Sequence, residues 1–165
     1  MYFVISGIEG SITSLNPRPE NKGKTEKVLA YDIDLKLEAN VGILEQLAVN
    51  EKVNYAEFFF NEKGEVRHTG IDKIVFNRDF EDQWLDIQLD VVTEQKEAFG
   101  PLKLKKFTAI PVFGHRVVLT FQAQTKPRDE ELLFLNHALI KKTVLITTRP
   151  PNQLDIEDVA NQESE

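Results

Sequence analysis

Three histidines, two carboxylate pairs and two runs of basic residues are the parts of this chain whose types and spacing could do chemistry. His68, His115 and His137 are far apart. A metal site is read from closer pairs, such as His-x-His on a strand face or two histidines at i, i+4 on a helix. Each therefore reads as a structural or solvent-facing imidazole. Asp32 with Asp34, and Asp86 with Asp90, each share a strand face and could offer oxygens to a divalent cation. A solvated, charged strand face gives the same pattern, and neither pair has a Gly-rich ligand loop beside it. The sequence holds no Gly-x-Ser-x-Gly elbow, no P-loop and no Gly-x-Gly-x-x-Gly. It thus offers no catalytic, cofactor-binding or metal-ligating residue, and the expectation is a protein that is not an enzyme and uses no cofactor.

The basic runs point elsewhere. One comprises Arg18, Lys22, Lys24 and Lys27; the other is Lys103, Lys105 and Lys106 beside Phe107, with Arg116 on the expected hairpin partner. Lysines on a β-face with exposed aromatics hold single-stranded nucleic acid through phosphate charge and base stacking. Lysines also guard edge strands against mispairing, and Glu20, Glu26, Glu94 and Glu97 dilute both runs. These residues form the candidate nucleic-acid or partner-binding set.

Strands must carry most of them. In Tyr31 to Ala39 every odd residue is apolar or aromatic and every even one is charged. Successive side chains of a strand point to opposite faces, so this is one buried face and one wet face. Leu85 to Val91 repeats the pattern, and so does Val117 to Gln124 with a more neutral outer face. Shorter strand candidates are Gly10 to Leu15, Tyr55 to Phe60, Lys73 to Phe76, Leu102 to Phe107 and Thr143 to Thr148. Clean alternation favours antiparallel sheets. Asn61 to Gly64 and Pro111 to Gly114 read as hairpin turns, and Asn16 to Lys24, with Pro17 and Pro19, as a long polar loop. A short helix is expected over about 41–49, with Asn40 as N-cap. A second is expected over about 128–142, its acids Asp129, Glu130 and Glu131 at the start and Lys141 and Lys142 at the end, complementing the helix dipole.

The expected fold is mainly β (α+β): an antiparallel β-sandwich or distorted barrel with those two helices. Its 165 residues suit one domain, taken as 1–150, followed by an acidic, mobile tail over 151–165. There is no cysteine for a disulfide or a thiol site. No apolar run reaches the roughly 18 residues of a membrane span, and the first residues lack a basic signal-peptide start, so the expected location is the cytoplasm. The net charge is −7, but residues 155–165 hold five acids and no base. Setting those five aside leaves 22 acidic against 20 basic residues, a nearly neutral body open to partners of either sign.

Several stretches resemble a small protein family of tailed bacteriophages and prophages, mostly without assigned function. They are Gly10-Ser11-Ile12, Asn16 to Glu20, Asp34 to Leu37 and Ile71 to Phe76. The resemblance continues through Lys103, Lys106-Phe107, Val118 to Gln124, Pro127, Glu130-Glu131 and Val144 to Ile146. It implies a phage origin and a place among early, DNA-metabolism or host-takeover genes, and no particular activity. The expected function is that of a non-enzymatic phage accessory protein in the bacterial host cytoplasm that works by binding a macromolecular partner. The leading expectation is a host or phage protein complex, for instance inhibition of a host defence or nucleic-acid-processing complex. Single-stranded-DNA binding in phage replication or recombination competes with it, and a small virion head or tail component is a third option.

Overall fold

The computed structural model describes residues 1–22, 26–48, 52–92, 95–152 and 155. In chain order the strands are β1 (Ile5–Lys22), β2 (Glu26–Asn40), β3 (Ile74–Phe76), β4 (Phe80–Gln88), β5 (Lys96–Val112), β6 (Arg116–Thr125) and β7 (Val144–Arg149). Helix α1 (Tyr55–Phe59) precedes β3, and α2 (Asp129–Ile140) lies between β6 and β7. Every pairing between these strands is antiparallel. Six of them close on themselves in the cyclic order β1–β2–β6–β5–β4–β7 and back to β1. β4 and β3 share one side of β5, β4 along Lys96 to Leu104 and β3 along Phe107 to Ala109. The result is a distorted barrel, one of the two antiparallel architectures expected, and closure removes most of the free edges a sheet would otherwise expose.

Alternation sorts the faces. Ile33, Leu35 and Leu37 of β2 and Val117, Leu119, Phe121 and Ala123 of β6 are buried, while the residues between them face out. At the centre the rings of Phe3, Phe80, Phe107 and Phe121 lie 5.0 to 5.7 Å apart in their contacting pairs. Burying each such ring contributes about 1.5–3 kcal/mol. Buried Gln83 fixes the incoming chain beside them: its side chain accepts from the Phe3 N–H at 2.6 Å and donates to the Phe3 carbonyl at 3.1 Å.

Gly10 is a crossing point. It pairs with Leu37 of β2 and with Val144 of β7. A Cβ there would lie 2.6 Å from the Lys36 carbonyl oxygen, so only glycine allows the approach. Beyond Gly10 β1 parts from β7. Helix α2 packs against β1 and β5 there, burying Leu135 and Ala138 and setting Phe134 6.1 Å from Phe99. Its first turn is held by Glu131, which accepts from the Arg128 N–H at 3.0 Å.

Two expectations are corrected. Asn16 to Lys22 is not a loop: β1 runs on through both prolines, Pro17 opposite Tyr31 and Pro19 opposite Leu29. Two residues apart, the two imide nitrogens point the same way, toward the side that β7 has left, where no ladder donor is needed. Tyr55 to Phe60 is not a strand. Asn54 accepts from the Glu57 N–H at 3.1 Å and starts α1, and Tyr55 and Phe59, one turn apart, stack at 5.9 Å. Phe60 alone bridges to Val66. The expected short helix is present after Asn40 as a 3₁₀ helix over Val41–Gln46, capped by Asn40; Val49 lies outside the described residues. No helix among the described residues is long and apolar enough to cross a membrane.

Candidate functional site

The outer face of β1, β2, β6 and β5 carries the polar side chains that the alternation turned away from the core. Register sets them in rows. Asn16, Asp32, Gln124 and Lys103 lie side by side, as do Ser14, Asp34, Gln122 and Lys105. Next come Lys36, Thr120, Thr108 and Val75, then Glu38, Val118 and Ile110. Neighbouring strands are about 4.8 Å apart, close enough for direct bonds. Asp34 is the hub: Ser14 Oγ donates to it, Asn16 Nδ2 donates at 3.2 Å and Gln122 Nε2 at 2.8 Å. Thr108 and Thr120 bond to each other, and Lys105 Nζ donates to Gln124 Oε1 at 3.0 Å. Two acceptors on this face, Asp32 Oδ1 and Gln122 Oε1, are buried without a hydrogen bond among the described residues; such groups cost about 1–3 kcal/mol each. Lys105 Nζ stands 3.7 Å from Asp32 Oδ1.

The cations picked out from the sequence are mostly matched in cis. Arg18 Nε lies 3.7 Å from Asp32, and Arg116 Nε bonds Glu38 at 2.9 Å. Lys103 Nζ lies 3.2 Å from Asp79 and 3.5 Å from Glu81; the hydrogen bond and charge of Asp79, with Glu81, raise its pKa above the ordinary lysine value. Lys106 is different. It is exposed, at φ +56, in a bulge that shifts the β5–β6 register between Lys105 and Thr108. Phe107 is fully buried in the aromatic centre, its ring stacked on Phe121. That corrects its place among the contact residues: the extra bulge residue turns Phe107 inward, so no base can stack on it. Lys24 lies outside the described residues, and so do the side chains of Lys22 and Lys27.

The structure adds Lys36 and Lys142, which sequence reading did not select. Both line a groove of about 450 Å³ with Ser11, Glu9, Arg116 and Val118. A smaller groove of about 210 Å³, lined by Thr13, Asp34, Lys106, Thr120 and Gln122, adjoins it along β1, β2 and β6. The alternation did place Lys36 on the wet face; that Lys142 comes to the same groove follows only from β7 pairing with β1.

The histidines stay apart. His68 lies against Phe58 at 4.8 Å and His115 against Phe60 at 5.3 Å. No group of three His, Cys, Asp or Glu side chains gathers to hold a metal among the described residues. Asp86 and Asp90 do not act as a pair. Asp86 is buried and accepts from Arg149 Nε at 2.8 Å and Nη2 at 3.0 Å, whereas Asp90 follows the end of β4 and accepts from the Val92 N–H. Arg149 also bonds Asp155, from the stretch expected to be a tail, and lies 5.5 Å above the Trp84 ring. The rest of 153–165 lies outside the described residues. These two carboxylates raise the Arg149 pKa. Burial would raise that of Asp155, but the Arg149 and Asn152 hydrogen bonds and the Arg149 charge outweigh it and hold the carboxyl below its ordinary value.

Comparison with protein-family models, with curated proteins and with solved structures finds no match.

Proposed function

We propose that this chain is a non-enzymatic accessory protein of a tailed bacteriophage, working in the host cytoplasm by binding a protein partner through the outer face of β1, β2, β6 and β5. The carrying observation is the state of that face. Its side chains are already ordered by bonds to one another, and four of its cations are compensated by neighbouring carboxylates. At its β3–β5 end, exposed apolar Val75 and Ile110 adjoin the polar rows. Ordered polar groups beside apolar ones, with little net charge, are the make-up of a protein–protein interface. A nucleic-acid face needs stacking rings beside its cations, and here Phe107 is withdrawn into the core. Hydroxyls bonded to a carboxylate or to each other, with no histidine beside them, support a binding role over a catalytic one. The phage assignment rests on the sequence resemblance.

The test is a photo-crosslinking side chain at Thr108 on the face and, as control, at exposed Leu133 on α2, in extract of the bacterial host. The expected result is one product of discrete mass from Thr108 alone, lost when Val75 and Ile110 are both changed to Glu. No product, or the same product from both positions, refutes the reading.

A further inference from the structure

Building on that reading, we propose that the partner lays an extended acidic segment, rich in Asp and Glu, across this face, held by Lys36, Lys106 and Lys142. Arg18, Lys103, Lys105 and Arg116 have carboxylates within 4.0 Å. Lys36, Lys106 and Lys142 have no such neighbour among the described residues, and they line the two adjoining grooves. Of the carboxylates in the same lining, Glu38 is engaged by Arg116 and Asp34 by Ser14, Asn16 and Gln122, which leaves Glu9 against the three lysines. Their order follows the strands. Lys142 leads into β7 beside Gly10, Lys36 sits on β2 opposite Thr120 of β6, and Lys106 lies on β5 next to Thr108. Lys36 and Lys106 are thus two strands apart, about 10 Å. The three ammonium groups mark a line across the strands rather than along one. The hydroxyls of Ser11, Thr13, Thr120 and Thr143 border it.

Lys106 supplies an independent observation. A left-handed backbone is unfavourable for any residue with a Cβ, and glycine would take this position without strain. The bulge nevertheless holds a lysine there, exposed into the groove. Asp82 and His115 share such a backbone, but of the three it is Lys106 that stands in one of these grooves, and strain kept at a groove is a mark of a site serving something other than stability. The occupant is a carboxylate chain rather than a phosphodiester because no described ring lines either groove except buried Phe121, leaving bases nothing to stack on.

Fluorescence anisotropy at low salt separates the outcomes. Its probes are a labelled peptide of alternating Glu and Ser, its Gln–Ser counterpart and a labelled oligothymidine. The full chain should bind the Glu peptide and not the Gln peptide, with about tenfold or more weakening in K36Q/K106Q/K142Q. Lys106→Gly should keep or raise the melting temperature while weakening the peptide, a split that a purely structural lysine would not give. An absent interaction with the Glu peptide, an unchanged affinity in the triple variant or in Lys106→Gly, or preferential binding of oligothymidine overturns the inference. If the peptide fails while the Thr108 crosslink persists, the protein-binding reading stands and only its acidic partner falls.

Discussion

Arg149 holds two buried carboxylates, and removing it should cost more than removing either acid. In Arg149→Met the apolar stem is kept, while Asp86 and Asp155, both buried, lose the guanidinium that reaches Asp86 at 2.8 and 3.0 Å and bonds Asp155. Breaking a buried pair from one side costs about 3–5 kcal/mol because the charge left behind has no partner. For a domain of this size that is a fall in melting temperature of roughly 6–20 °C. Asp155→Ala leaves the bidentate Asp86 contact in place, so about 1.5–3 kcal/mol is expected, the worth of hydrogen bonds to a charged group. Neutralising the acids as well, in R149M/D86N/D155N, should recover more than half of the Arg149→Met loss. The only tryptophan, Trp84, has the guanidinium 5.5 Å above its ring. Urea unfolding followed by its fluorescence therefore reports the cluster and the stability together. Arg149→Met within about 1 kcal/mol of the parent chain, or a triple variant no better than the single one, would refute the reasoning.

The same cluster fixes a pH dependence. The Asp155 carboxyl sits below its ordinary 3.8 in the folded chain. Its contribution is therefore fully present above that value and is lost only as pH falls through the lower folded pKa. Trp84 emission should be flat from neutral pH to about 4 on this account, with the Asp155 step confined to stronger acid and absent in Asp155→Ala. Gly100→Ala should destabilise by about 1–3 kcal/mol in calorimetry, because the new Cβ would press on Cδ2 of the Trp84 ring and lie 2.6 Å from its Cε2. Phe107→Ala should cost about 3–5 kcal/mol in urea unfolding, yet leave the Thr108 crosslink unchanged at temperatures where the variant is folded, since the ring faces the core and not the partner.

Much of this barrel is legible in the chain because a strand of a one-sided sheet writes its burial as period two. Ile33, Leu35 and Leu37, and Leu119, Phe121 and Ala123, could be assigned to the core from that alone, and the acids of α2 mark its start. The errors fall where local signals compete. A triple phenylalanine reads as strand until Asn54 caps it into a helix. Two prolines read as a loop until the pairing shows that their missing donors face away from the ladder. The site divides in the same way. Alternation put Asp32, Asp34 and Lys36 on a wet face, but alternation has no memory across strands. That Ser14, Asp34 and Gln122 form one row, that a bulge exposes Lys106 and hides Phe107, and that Lys142 reaches the groove of Lys36 are consequences of register and closure. Register is set by the sum of many weak pairings over the whole barrel. The sequence determined which side chains would meet water; only the tertiary structure decided which of them would meet each other.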